Sequence, residues 1–288
     1  MPSTIDLRRR IRSVKNTQQI TKAMKMVSAA KLRRAQERIF SARPYAAALR
    51  EVLASVASRI GAANHPLLQA REEERNVVVI VVTSDRGLAG AFNTNANRAA
   101  LNFVKEKAFP NVELIPIGRK ANDYFRRRAI PMRRPATQAL QALSLETARE
   151  IAGGLITAFT NGELDAVYVV YNEFRSVISQ VVRTERLLPL QRPWSEEQQE
   201  TTIDYLYEPA PEQILSELLP KYVEFELYRI LLESAAAEQG ARMTAMEAAT
   251  KNASDMISHL TLTYNRIRQA AITKEIIEIV SGAAAAGH

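Results

Sequence analysis

Hydrophobic residues recur at alternating steps of three and four near the C-terminus of the chain. No proline follows Pro220, and Gly240 is the only glycine between it and Gly282. This spacing is typical of a coiled-coil helix and predicts one helix over Lys221–Ser281, roughly 90 Å long at 1.5 Å per residue. The predicted contact positions are Met243, Met246, Thr250, Ala253, Ile257, Leu260, Tyr264, Ile267 and Ala271. A helix of this length needs a partner helix.

The N-terminal segment has the second long helical pattern. Ser3 and Asp6 form a capping box, with Asp in place of the usual Glu or Gln, and no Gly or Pro follows before Pro44. The pattern predicts a helix that continues to about Ile60, where Gly61 ends it. Its apolar positions fall in three groups whose spacing slips twice, which predicts local changes in supercoil. They are Leu7, Ile11 and Val14, then Ile20, Met24 and Val27, then Leu32, Ala35 and Ile39.

Between these helices, short apolar runs alternate with helical segments. Asn76–Val82 is a continuous β-branched run, as in a strand covered on both faces. The alternation predicts a mainly parallel sheet with covering helices. The predicted strands are Asn76–Val82, Val112–Ile117, Ala166–Tyr171 and Val177–Leu188, and the predicted helices are Asn93–Lys107, Lys120–Arg128 and Leu143–Phe159.

The predicted fold class is therefore α/β, with a long antiparallel coiled coil of the N- and C-terminal helices and a central Rossmann-like α/β domain. The predicted division is a coiled-coil helix at 1–60, a linker at 61–75, the Rossmann-like domain at 76–190, a polar connection at 191–210 and a coiled-coil helix at 211–286. Within the connection, Ile203–Tyr207 is predicted to form a short strand.

Charge is concentrated at one end of the chain. The 288 residues carry a formal net charge of +8, and residues 1–40 hold eleven Lys and Arg against Asp6 and Glu37. A basic stripe on one helix favours a localised acidic partner over a general polyanion surface. There is no cysteine, which excludes disulfides and cysteine metal sites. Charged residues interrupt the C-terminal helix too often for a membrane span.

The glycine turn after the first predicted strand is the main candidate for chemistry. Its residues Gly87 and Gly90 match neither G-x-G-x-x-G nor a Walker A loop, so we favour a structural turn fixed by Asp85 and Arg86. The three histidines show no metal-ligand spacing. We therefore expect no catalytic residue, no cofactor and no metal. Two alternatives stay open: a nucleotide-binding enzyme built on the α/β domain, and a nucleic-acid-binding coiled-coil protein.

Four motifs resemble the gamma subunits of bacterial F-type ATP synthases. They occur in the family's order over essentially the whole chain, and the two terminal ones are highly specific. They are Ile20–Gln36, Ser84–Gly90, Ala241–Asn252 and Ile272–Glu278, the last followed by Gly282 and three alanines.

The resemblance implies a non-catalytic rotor shaft at the cytoplasmic face of the plasma membrane. In this family the terminal helices run up the axis of a ring of three alpha and three beta subunits, while the α/β domain contacts the epsilon subunit and the ring of c subunits. Ion flow through the membrane sector rotates the shaft. The rotating shaft takes the beta subunits in turn through the states that bind ADP and phosphate, form ATP and release it. No nucleic-acid partner is implied.

Carried over by position, the resemblance also implies functional residues. Contacts with beta subunits fall at Met24, Lys25, Arg268, Gln269 and Thr273. The candidates for coupling are Arg242, Glu275 and Glu278. For the two glutamates, intramolecular pairing with Lys274 or with a neighbouring helix is an equally good interpretation. The residues of the structural turn are Asp85, Arg86, Gly87 and Gly90.

Overall fold

A computed structural model describes residues 3–59, 65–128, 130–133, 143–190 and 210–286. Residue contacts divide the chain into two units. The helical unit contains residues 1–27 and 243–288, and the α/β unit contains residues 28–242. The helices are α1 (Thr4–Arg59), α2 (Phe92–Lys107), α3 (Arg119–Arg126), α4 (Leu145–Thr160) and α5 (Pro211–Ala286), with a 3-10 turn at Pro66–Leu68. The strands are β1 (Asn76–Val82), β2 (Asn111–Ile117), β3 (Ala166–Phe174) and β4 (Gln180–Leu188). The predicted strand at Ile203–Tyr207 lies outside the described residues.

The four strands form one sheet in the order β2-β1-β3-β4. β1 runs parallel to β2 and β3, and β4 is antiparallel to β3, so the predicted mainly parallel sheet is confirmed. β4 begins at Gln180 instead of the predicted Val177, because a turn closed by hydrogen bonds between Ser176 and Ser179 precedes it.

Both faces of the sheet are covered, as the β-branched run of β1 predicts. Val78, Ile80 and Val82 pack in one cluster with residues of α1, α4 and α5, whereas the alternate residues Val77 and Val79 pack in a second cluster with residues of α2 and α3. The α/β unit therefore contains the main hydrophobic core.

Each of the two long helices contains a proline in its interior. Pro44 lies inside α1 and Pro220 inside α5, although an interior proline costs about 3 kcal/mol through its lost hydrogen bond and steric clash. Buried neighbours such as Leu49, Leu219 and Val223 belong to the main core, and their packing offsets that cost.

The predicted slips in the contact face of α1 are wrong. Buried and half-buried positions keep a strict alternation of steps of three and four over Leu7, Ile11, Val14, Gln18, Thr21, Lys25, Ser28, Leu32, Ala35, Ile39, Ala42, Ala46, Leu49 and Leu53. Small polar residues occupy this face where apolar ones were expected. Thr21 and Ser28 are buried there, while Ile20 and Val27 are 59% and 55% exposed. Unbroken heptads, although with polar members, thus run through α1.

Candidate functional site

Three side-chain contacts define the pairing of α1 with α5 in the helical unit. Arg8 donates to the Tyr264 hydroxyl at 2.8 Å, the Thr21 and Thr250 hydroxyls are 2.8 Å apart, and Lys25 binds Glu247 at 2.6 Å. Residue numbers rise along α1 as they fall along α5, so the helices are antiparallel, as predicted. Most of the predicted contact positions of α5 are buried or half-buried, but Ala271 is exposed.

Met24 and Lys25 lie at the edge of this helix pair. Both are half-buried, and the ammonium group of Lys25 is held by the carboxylate of Glu247. Beside them Met26 is 61% exposed. The segment therefore presents an outward apolar surface next to a partly neutralised cation, a surface that an additional protein can cover.

Arg268, Gln269 and Thr273 form a second group on α5. All three are exposed, and the Thr273 hydroxyl donates to the Gln269 carbonyl oxygen at 3.0 Å. Arg268 follows Glu247, the partner of Lys25, by roughly 30 Å along the helix at 1.5 Å per residue. The predicted beta contacts thus form two separate belts.

The last turns of α5 expose every described side chain. From Arg268 to Ser281 each residue is exposed, including Ile276, Ile279 and Val280. Glu275 lies in this stretch, and Glu278 pairs with Lys274 at 3.5 Å. Within the described residues, no part of this chain covers the stretch.

Arg242 is placed differently, since its side chain is only 11% exposed. It donates to Glu238 at 2.6 Å and to the carbonyl oxygens of Arg86 and Gly87 at 3.4 and 3.3 Å. Burial raises the pKa of Glu238 above its usual range, and the nearby Asp85 carboxylate acts in the same direction, whereas Arg242 opposes them. Arg242 thus attaches α5 to the turn that follows β1.

That turn is stabilised by contacts within the chain. The Asp85 carboxylate accepts from the Arg119 amide at 2.9 Å, at the start of α3. The Ser84 hydroxyl donates to the Arg86 carbonyl at 2.5 Å, and the Ser84 amide donates to Asn93 at 2.9 Å. Gly90 has a positive φ of 56°, a conformation that glycine adopts at little cost. The turn joins β1, α2, α3 and α5, and Gly87 lies at its contact with Arg242.

Gly118 stands opposite this turn and admits no side chain. Its φ is +91°, and a Cβ atom there would lie 2.0 Å from the Thr83 carbonyl oxygen. The close approach lets the Thr83 hydroxyl accept from the Ala121 amide at 2.8 Å. Polar groups at the carboxyl ends of β1 and β2 are thus used to fix α3.

The ion-pair partners of several lysine and arginine side chains were not predicted from the sequence. The spacing of Glu238 and Arg242, four residues apart on one helix, carried a usable signal. The pairing of Lys25 with Glu247 needed the register of α1 against α5, which a single sequence does not provide. Local spacing on one helix likewise links Arg229 to Glu226 and Glu233, which it binds at 2.8 Å each, whereas its bond to Glu185 at 3.1 Å joins distant segments and has no local signal.

Two kinds of feature are absent from the described ranges. No helix there is long and apolar enough to cross a membrane. No group of three or more His, Asp or Glu there could hold a metal ion.

Comparison with known proteins gives consistent matches over the whole chain. A family model described as ATP synthase matches residues 3–286. The ATP synthase gamma chain of Solibacter usitatus is 56% identical over 290 residues, covering 99% of this chain and 100% of that relative. The gamma chain of Chlorobaculum tepidum is 49% identical over 288 residues, covering 98% of both chains.

Chains of solved ATP synthase structures also match this chain, at lower sequence identity. A chain of the Tetrahymena thermophila mitochondrial ATP synthase, solved as central stalk and c-ring, matches with a TM-score of 0.60 at 26% identity, over 80% of this chain and 99% of that one. A chain of the Euglena gracilis mitochondrial ATP synthase matches with a TM-score of 0.70 at 21% identity, over 98% and 94% of the two chains, and supports the fold alone.

Proposed function

Because this chain belongs to the family of ATP synthase gamma chains, we propose that its paired terminal helices are the rotor shaft of the central stalk. The chain is a non-catalytic subunit of the F-type synthase. Its shaft couples proton-driven rotation of the membrane ring to conformational change in the catalytic beta subunits for ATP synthesis, and works in reverse during hydrolysis.

The observation that carries this proposal is the exposed end of α5. Beyond its described contacts with α1, the helix α5 exposes isoleucines and a valine. Large exposed apolar patches mark interaction sites, so this stretch favours burial by other chains. A ring of three alpha and three beta subunits would surround this stretch.

Two belts of α1 and α5 would contact the beta subunits. Met24 and Lys25 form the first belt, where a basic, partly apolar surface suits an acidic segment of beta. Arg268, Gln269 and Thr273 form the second, where the neighbouring alanines allow close approach. Their exposure leaves the side chains of Arg268 and Gln269 accessible to a partner, while the Thr273 hydroxyl donates to the Gln269 carbonyl oxygen.

Coupling requires that each shaft angle interact differently with the open and closed states of beta, since only a difference in affinity shifts their populations. Glu275 and Glu278 are exposed on α5 and would supply part of that difference. Arg242 would act by holding α5 to the turn at Arg86 and Gly87. Those contacts would transmit torque to the α/β unit.

The α/β domain would carry the remaining partners, the epsilon subunit and the ring of c subunits. The Tetrahymena structure is described as central stalk and c-ring, which supports the c-ring as a partner. As a peripheral component of F1, the chain would lie at the cytoplasmic face of the bacterial plasma membrane.

Native mass spectrometry of the full chain with purified alpha and beta subunits tests the assembly. We expect a complex of three alpha, three beta and one copy of this chain, with ATPase activity above that of either part alone. A chain that stays monomeric in the mixture contradicts the proposal.

A charge substitution tests the first contact belt. Met24→Lys adds a cation to a basic belt, so we expect fewer protons pumped per ATP hydrolysed by the reconstituted complex while ATPase activity persists. Met26→Lys is the matched control, since it adds the same charge two residues away. Unchanged pumping in Met24→Lys, or an equal loss in both variants, argues against contact at Met24.

A further inference from the structure

A cleft of about 390 Å³ in the α/β unit is lined by side chains from α1, the turn after β1 and α5. Its volume falls within the range of small-ligand pockets. The cations that line it are Lys31, Arg34, Arg38, Arg86 and Arg242. None of the family contacts assigned above at Met24, Lys25 or Arg268 lies in it.

The two carboxylates of the cleft are already engaged. Glu238 binds Arg242 at 2.6 Å, and Asp85 accepts from the Arg119 amide at 2.9 Å. Both residues are buried. Five cations against two carboxylates leave the lining with a formal charge of +3, and that excess is carried by α1 and Arg86.

Three arginine side chains supply most of the excess positive charge of the cleft. Within the described residues, Arg34, Arg38 and Arg86 form no ion pair, whereas the neighbouring Arg33 binds Glu37 at 3.2 Å. Arg34 and Arg38 lie one turn apart on α1, and Arg86 reaches the cleft from the turn after β1. Cations that outnumber the carboxylates of one concavity repel one another, and a bound anion relieves that repulsion.

We propose that this cleft binds a diphosphate group, either as free pyrophosphate or as part of a nucleoside diphosphate. The planar guanidinium fork matches phosphate oxygens in a bidentate manner, and a diphosphate offers enough oxygens for several arginines at once. A concave site of this volume fits a compact anion better than an acidic peptide, which needs an extended surface.

Calorimetric titration of the full chain with sodium pyrophosphate at low ionic strength tests the site. We expect saturable binding at one site. Arg34→Ala/Arg38→Ala should weaken it about tenfold or more, the loss expected when a charge-assisted contact is removed. Arg9→Ala/Arg12→Ala removes the same charge from exposed positions elsewhere on α1 and should change affinity less than about twofold.

Parallel titrations with ADP and adenosine separate the two sources of the diphosphate. Tighter binding of ADP than of pyrophosphate identifies a nucleotide, and equal or weaker binding identifies the free anion. The proposal is overturned by absent or non-saturable binding, by equal losses in the two double variants, or by an oligoglutamate peptide that binds more tightly than pyrophosphate. Circular dichroism checks that each variant remains folded.

Discussion

The paired helices are packed differently in the two units of the molecule. In the α/β unit, α1 and α5 contribute Leu49, Leu53, Leu227 and Leu231 to a continuous apolar core with the sheet. Among the described residues of the helical unit only Leu7, Thr21, Met246 and Ala253 are buried, and none of the described strands belongs to it. The same two helices are therefore core elements in one unit and a largely exposed pair in the other. The effects of substitutions on stability should therefore differ between the two units.

The largest expected effect is at Arg242 in the α/β unit. Arg242→Ala leaves Glu238 buried without its cation, which costs about 3–5 kcal/mol. Urea unfolding of the full chain measures the loss. Glu238→Gln in the same chain should recover much of it, because a neutral amide replaces the unpaired charge. If the double variant Arg242→Ala/Glu238→Gln is as unstable as Arg242→Ala, the loss comes from the contacts of Arg242 with the turn instead.

The Arg242→Ala variant should also regain stability in acid. Burial raises the pKa of Glu238 in the folded chain, so its ionised form penalises folding. The penalty is complete above the folded pKa, shrinks as the pH falls from the folded toward the lower unfolded pKa, and is absent below the unfolded pKa. Unfolding measured from pH 7 down to pH 4 should show the deficit relative to the parent chain shrinking. A deficit that is constant with pH would exclude an unpaired Glu238 as its cause.

The next largest effect tests the apolar core. Leu227→Ala removes a fully buried side chain and should cost about 2–5 kcal/mol. Leu262→Ala in the helical unit is the matched control, since Leu262 is 71% exposed, and should change stability by less than about 0.5 kcal/mol. Chemical denaturation of both variants measures the difference. Similar losses in the two would contradict the division between the core of the α/β unit and the exposed helix pair.

These differences also explain what the sequence could predict. The β-branched run of β1 and the long stretches without glycine marked the sheet and the helices, because those signals are local. The predicted contact face of α1 is wrong at Ile20 and Val27, because apolar character alone does not determine burial within one chain. The proposed shaft would meet other chains on its outward face, so an exposed Val27 and a buried Ser28 are compatible with that role. The pairing of Lys25 with Glu247 depends on register between segments far apart in the chain.

A smaller effect tests the polar layer of the helical unit. Thr21→Val or Thr250→Val alone disrupts the hydroxyl pair and should cost about 1 kcal/mol, whereas the double variant should be close to the parent or more stable, since two apolar groups of the same shape pack together. Amide hydrogen exchange of α1 and α5 around these residues reports local opening. Additive losses in the double variant would show that the hydroxyls act separately.

The smallest effect is at the ion pair of Lys25 and Glu247. The side chains are 35% and 60% exposed, so water screens the pair, and its coupling should be below about 1 kcal/mol. A double-mutant cycle with Lys25→Met and Glu247→Gln, followed by hydrogen exchange, measures that coupling, which should decrease further in 1 M salt, where the Debye length is about 3 Å. A coupling above about 2 kcal/mol that persists in salt would mean that the pair is shielded from water and holds the helices together. The weak coupling expected instead would let Lys25 exchange Glu247 for an acidic group of a partner at little cost, as the proposed contact with beta requires if it forms and breaks during rotation.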